Sequence, residues 1–393
     1  MHECSIGYNV SQHYAGCFSQ LALRVRWHLF IMRIDLTKFK TYTPSGRSDD
    51  RAEVLGLSGG RSSAYTLMAL MNGGFGKNEK HIVSFQNTGK ENETCLIFVD
   101  QLEKETGIKI VWLEYSLSQK FTDELVWSSF SYDKFNRGEY KHIGEILNIK
   151  KLQGFNFEKS PNNFWYKDGF CNNNESAKEV NFETASRNGK PFADIFIYKC
   201  AIRIMKGEGL ILPSAGQRWC TGDMKEKLLH RYLRNKGIEQ YTKYMGMRFD
   251  EPIRVNRIFH KNNVQNGIDW DCPLHWEQVI KIDVLNAWNG QPIDLGLKED
   301  RTNCFRDFIG NCENCHLKAK IKKLFLIQNG YSAAFYRQIE TITNTYNGDV
   351  DAMNRSHGTY EALEKEAMNG RKITIDEVLS DEEKEMQCVG CGD

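Results

Sequence analysis

The sequence predicts an α/β fold: a twisted parallel sheet flanked by helices, with a smaller helical C-terminal region that carries cysteines. Three observations lead there. Short apolar runs alternate with helical periodicity between residues 54 and 115, and a polar turn containing glycine follows the first two runs. The spacing fits two consecutive strand–helix–strand units, whose right-handed crossovers make the strands parallel.

The first run, Val54, Leu55 and Leu57, suits a strand covered on both faces, which loses the usual alternation. Ala64, Leu67, Met68 and Met71 then recur at helical spacing. Between them stands Ser58-Gly59-Gly60-Arg61-Ser62-Ser63. The two glycines lack a Cβ, so the backbone can turn tightly and approach a ligand. Ser62 and Ser63 open the helix, where unpaired N–H groups and the positive end of the dipole favour an anion. A phosphate or sulfate is the expected ligand. A second strand (81–87) leads to Thr88-Gly89, and a helix with Cys95, Phe98, Val99 and Leu102 on one face ends near Gly107. The third strand covers 108–115. Both turns therefore fall beyond the carboxyl ends of strands, where open α/β sheets bind ligands.

Residues 116–210 are rich in Asn, Lys and aromatics and have no clear period; they read as an insertion over the site, with Arg187 and Asn188 before a helix. Met224, Leu228 and Tyr232 form a helical stripe within 218–237, and 241–248 reads as a late strand ending in Gly246 and Arg248. A second helical region starts near 273, and 360–387 is charged and helical. The expected organisation is a weakly ordered extension over 1–50, an α/β domain over 51–260 and a helical region over 261–393. Residues 1–31 are expected to be dispensable, with Met32 opening the needed sequence.

Fifty-two basic against 51 acidic residues exclude the overall basic footprint of a dedicated nucleic-acid binder. No apolar run approaches the ~20 residues that cross a bilayer. The segment 21–32, LALRVRWHLFIM, is interrupted by two arginines and a histidine and lacks the core of a secretory signal. A cytoplasmic location is expected, in which the 12 cysteines stay mostly reduced. Clustered cysteines then read as metal ligands or redox groups. Cys312 and Cys315 form a C-x-x-C, with Cys304 eight residues before it and Cys220 far upstream. Two thiolates at that spacing grip one metal, and four complete a tetrahedral or cubane site. Ligand type alone suits zinc and iron equally.

SGGRSSA, FQNTGKENETCLIFVDQL, RWCTGDMK, GMRFDEPIR, PLHWEQ and GNCENCHLK follow one another between about residues 54 and 323. In this order they resemble the phosphoadenosine phosphosulfate (PAPS) reductase family of the adenine-nucleotide α-hydrolase-like (PP-loop) superfamily, in its phage and bacterial branch. The superfamily loop reads S-G-G-x-D-S. Ser62 stands at the aspartate position, which removes a carboxylate that helps hold a metal ion such as Mg2+ at the phosphates.

The resemblance implies an adenine nucleotide, which is PAPS, adenylyl sulfate (APS) or ATP. Ser58, Gly59, Gly60, Arg61, Ser62 and Ser63 would cradle its phosphate or sulfate, and Thr88 and Gly89 would border it. Arg248 would neutralise its anionic end, with a planar fork suited to bidentate phosphate contact. The resemblance also implies a [4Fe-4S] cluster, with zinc as the alternative, on Cys220, Cys312 and Cys315. The fourth ligand is Cys304 by spacing, or Cys388 or Cys391 folding back. Cys391 resembles the mobile tail cysteine that attacks the sulfate sulfur, forms an S-sulfonate and releases the nucleotide. A thioredoxin-like thiol donor then frees sulfite. The tail here is not the reductases' Glu-Cys-Gly.

Three functions follow as expectations. One is reduction of APS or PAPS to sulfite. Another is ATP-dependent thiolation of a nucleic acid, with sulfur from a cysteine desulfurase passing through the cluster and HLKAKIKK (316–323) as a basic stretch. The third is nucleotide sensing without catalysis.

Overall fold

The structure is a computed structural model and describes residues 34–39, 51–154, 175–262, 267–295 and 312–381. Among the described residues six strands form one sheet: β1 (Ala52–Leu57), β2 (His81–Asn87), β3 (Ile110–Leu117), β4 (Glu175–Val180), β5 (Tyr241–Tyr244) and β6 (Ile268–Asp271). Their order is β4-β3-β2-β1-β5-β6. Every pairing is parallel except that of β3 with β4. Leu55 of β1 lies opposite Val83 on one side and Tyr244 on the other. From β1 the chain builds outward through β2 and β3, then returns to build β5 and β6 on the opposite side. The order thus reverses between β1 and β5, which makes the crevice at their carboxyl ends the switch point of the sheet.

Burial explains the unbroken apolar run in β1. Side chains alternate across a strand, and Ala52 and Val54 enter one core cluster while Leu55 and Leu57 enter the other. The face of Leu55 is covered by α1 (Arg61–Asn72) and α2 (Glu93–Thr106), through Leu67, Leu70, Leu96 and Val99. The Val54 face packs on the helices Lys190–Met205 and Lys227–Asn235, through Phe196, Ile197 and Leu228. That second core continues without a break into the C-terminal helices Lys320–Gln328, Ala334–Asn347 and Tyr360–Asn369, through Phe335, Ile339 and Leu363.

Several sequence expectations need adjusting. On α1, Ala64 and Leu67 are buried as expected, but Met68 and Met71 are half-buried and Tyr65 and Leu70 complete the packed face. The helix α2 ends as expected, with Gly107 as its left-handed cap. The late strand stops at Tyr244, and 245–248 leave the sheet to cross the start of α1. The stripe at 218–237 is interrupted by a π-turn over Gly222–Glu226. Within 116–210 lie β4 and the 16-residue helix Lys190–Met205. Most of that helix is buried, so it has no polar face to create a period. Among the described residues no helix is long and apolar enough to cross a membrane. Residues 1–33, Cys304, Cys388 and Cys391 lie outside the described residues.

Candidate functional site

The turn after β1 is held by its own serines. Ser63 Oγ donates to Gly60 O at 2.9 Å and accepts from Ser58 N at 3.1 Å. The Ser58 and Ser63 hydroxyls are 3.0 Å apart, and Gly60 N donates to Ser58 Oγ at 3.3 Å. With Ser63 donating to Gly60, the Ser58 hydroxyl donates to Ser63, and every proton in the set has a use. Gly59 turns the chain at φ 81°, and a Cβ there would come within 3.2 Å of Cys95 Cβ and 3.3 Å of Phe85. Gly60 is the N-cap of α1 and offers no side-chain acceptor. Asn92 caps α2 with its own oxygen, so the start of α1 differs in leaving its first-turn amides without a cap.

Arg248 reaches this turn from the end of β5. Its Nη1 donates to Ser62 Oγ at 3.2 Å and its Nε to Asp250 Oδ1 at 2.9 Å, and the residue is 4% exposed. Glu251 lies 3.8 Å from Arg248 Nη2, accepts its backbone N–H at 3.0 Å and also pairs with Arg254. The neutral hydroxyl at position 62 thus meets the cation. Gly246 makes the approach feasible: a Cβ there would sit 2.7 Å from Ser63 Cα and 2.8 Å from Ser63 N, both backbone atoms. Arg61 does not face the turn with its guanidinium. It forms a bidentate pair with Asp294, at 2.8 and 2.7 Å.

The second turn is braced by two buried carboxylates. Asn87 and Glu114 are direct cross-strand neighbours, and Asn87 Nδ2 donates to Glu114 at 2.6 Å. Glu114 also accepts from Ser186 N and Oγ, which ties the Arg187 segment to the sheet. Arg187 itself pairs with Glu93, and Asn188 donates to Asp133. Glu91 accepts from Thr88 N at 2.7 Å and Thr88 Oγ1 at 2.6 Å. Its other oxygen is 3.5 Å from Lys225 Nζ and 4.0 Å from Cys312 Sγ.

Cys220, Cys312 and Cys315 share one neighbourhood: burial raises the pKa of the Tyr336 phenol, and each of the three thiols raises it further. Buried cations lie beside them, with Lys225, Lys318 and Lys323 each under 10% exposed. Burial lowers the Lys323 pKa to about 8 against the pull of Cys315 and Glu340. It lowers His316 to about 4, helped by Lys323 and Arg218. Among the described residues, however, no three His, Cys, Asp or Glu side chains form a group that could hold a metal. The described cysteines alone therefore do not make a metal centre.

The turn after β1 thus gathers Ser58, Gly59, Gly60, Ser62, Ser63 and Arg248, with Thr88 and Gly89 at the end of the neighbouring strand. Sequence reasoning missed Glu91, Lys225 and Asp294. Glu91 stands three residues after Thr88 inside a quoted motif, the usual spacing for a side chain that bonds back to a turn. Asp294 gives no such sign, because 233 residues separate it from Arg61. What the fold defines is an α/β protein with a mostly parallel six-stranded sheet and a polar, glycine-containing turn at its switch point. Comparison with protein-family models, curated proteins and solved structures finds no match.

Proposed function

We propose that the chain is an enzyme of the PAPS reductase type, which binds an adenine nucleotide at this crevice and reduces APS or PAPS to sulfite. The observation that carries the reading is Arg248 held against Ser62, over an uncapped helix start, at the switch point of the sheet. A cation, a helix start that no side chain caps and a glycine turn together suit the phosphate or sulfate end of a nucleotide. Cys391 would attack the sulfate sulfur. The S–O bond to the nucleotide breaks, the nucleotide leaves, and a dithiol donor then releases sulfite from the S-sulfonate. A [4Fe-4S] or zinc centre on Cys220, Cys312 and Cys315 belongs to the same proposal and needs a further ligand beyond the described residues.

The nucleic-acid alternative loses its basic stretch. Lys318, Lys322 and Lys323 are buried, and Lys320 pairs with Glu366. The test is calorimetric titration with APS, PAPS and ATP, followed by assays for sulfite and pyrophosphate. Tight binding of APS or PAPS with sulfite release in the presence of dithiol is expected. Pyrophosphate release from ATP would move the protein to the sulfurtransferases, and binding without turnover would make it a sensor.

A further inference from the structure

We infer that Glu91 is a positioning residue that couples the nucleotide crevice to Cys312, a role that rests on the nucleotide reading above. Its side chain is fully buried and has two faces. One oxygen accepts both Thr88 donors, at the turn bordering the crevice. The other faces Lys225 and Cys312. The backbone repeats the connection: Glu91 and Cys312 form an antiparallel bridge, and Glu313 N donates to Lys90 O at 2.9 Å. The turn that would feel a nucleotide is thereby joined, within one residue, to the thiol segment.

The chemistry demands a carboxylate. Glu offers two acceptor oxygens, whereas Gln offers one acceptor and one donor. A Gln at 91 can serve Thr88 or Lys225, but not both. Its amide hydrogens must then face either the Thr88 donors or the Lys225 ammonium. Glu91→Gln therefore cuts the side-chain link while conserving volume. A ligand that orders the Thr88 turn orders Glu91 with it, and through Glu91 restrains the half-buried Cys312, whose sulfur must swing outward to meet a reagent.

The experiment uses the full chain after a chelator has removed any metal held by Cys312, with iodoacetamide and peptide mapping to follow Cys312 alone, with and without saturating APS or ATP. In the wild type the nucleotide should slow Cys312 alkylation by about tenfold, an ordinary strength of coupling between sites. In Glu91→Gln the slowing should vanish, although the nucleotide still binds by calorimetry. Glu91→Ala should behave alike, and Glu91→Asp should restore part of the effect. If the wild type binds nucleotide but Cys312 reacts equally fast, or if Glu91→Gln keeps the full slowing, the coupling role is overturned and the nucleotide reading stands. If neither nucleotide binds the wild type, both fall.

Discussion

Ser62 and Arg248, 186 residues apart in the chain, meet through a buried hydrogen bond of 3.2 Å. The contact joins the turn after β1 to the segment after β5. Those two strands are neighbours in the sheet but lie on opposite sides of the chain reversal.

Gly246 makes that contact possible, so Gly246→Ala should break it. The added Cβ would press on Ser63 backbone atoms at 2.7 and 2.8 Å, which cannot move without shifting α1. A loss of about 1–3 kcal/mol is expected, the usual cost of overpacking. Denaturant unfolding measures it, and an unchanged midpoint would contradict the close approach.

Arg61→Ala should lower stability by about 1 kcal/mol and leave nucleotide affinity intact. The guanidinium is engaged by Asp294 in a largely buried bidentate pair. Asp294→Asn should cost a similar amount, and the double variant little more than either alone. A nucleotide affinity that falls in Arg61→Ala would show that the side chain leaves Asp294 for the ligand.

Glu340 sets a pH dependence. Burial raises its pKa from the ordinary 4.5 to about 7, against two hydrogen bonds from the Met353 and Tyr360 amides. The folded state holds the proton more tightly than the unfolded state. The contribution is therefore complete below pH 4.5 and is lost as pH rises toward 7, by up to about 3 kcal/mol. In Glu340→Gln this slope should disappear, so the stability difference between wild type and variant should change across that window. Parallel stability curves would contradict the assignment.

The proposed iron–sulfur centre, which needs a ligand beyond the described residues, predicts a coloured protein. Purified without oxygen, it should be brown and contain iron and sulfide in equal amounts. Cys312→Ser and Cys315→Ser should each remove the colour, whereas Cys304→Ser should do so if Cys304 is the fourth ligand. Colourless protein holding one zinc after anaerobic preparation with iron supplied would falsify the iron–sulfur centre.

The elements around the crevice were legible because their sequences carry local physics. Val54 to Leu57 had the apolar run of a doubly covered strand, and Gly107 marked the end of α2. The helix Lys190–Met205 was not legible as a period, because burial on nearly every side erases the polar face that makes one visible. β4 is a short antiparallel edge strand of sequence ESAKEV, with charges where a core strand would carry apolar groups. At the site, Ser58 to Ser63 and Arg248 stood out by residue type. The partners that fix them, Asp294 for Arg61 and Glu91 for Thr88, depend on distant or turn-local geometry that composition does not encode.

Gly60→Asp tests the central claim most directly. Gly60 has φ −104° and ψ 163°, extended values open to any residue, and it is the N-cap of α1. Aspartate is a favoured N-cap and should improve the bare helix by a few tenths of a kcal/mol. The same carboxylate would occupy the uncapped amides and repel the phosphate or sulfate of the proposed nucleotide. Calorimetric titration of APS and PAPS into wild type and Gly60→Asp, with the ligand-free thermal midpoint measured alongside, separates the two effects. The expected result is loss of nucleotide binding in a variant whose ligand-free midpoint is equal to or slightly above wild type. Normal nucleotide binding by Gly60→Asp would contradict the placement of the site at this turn.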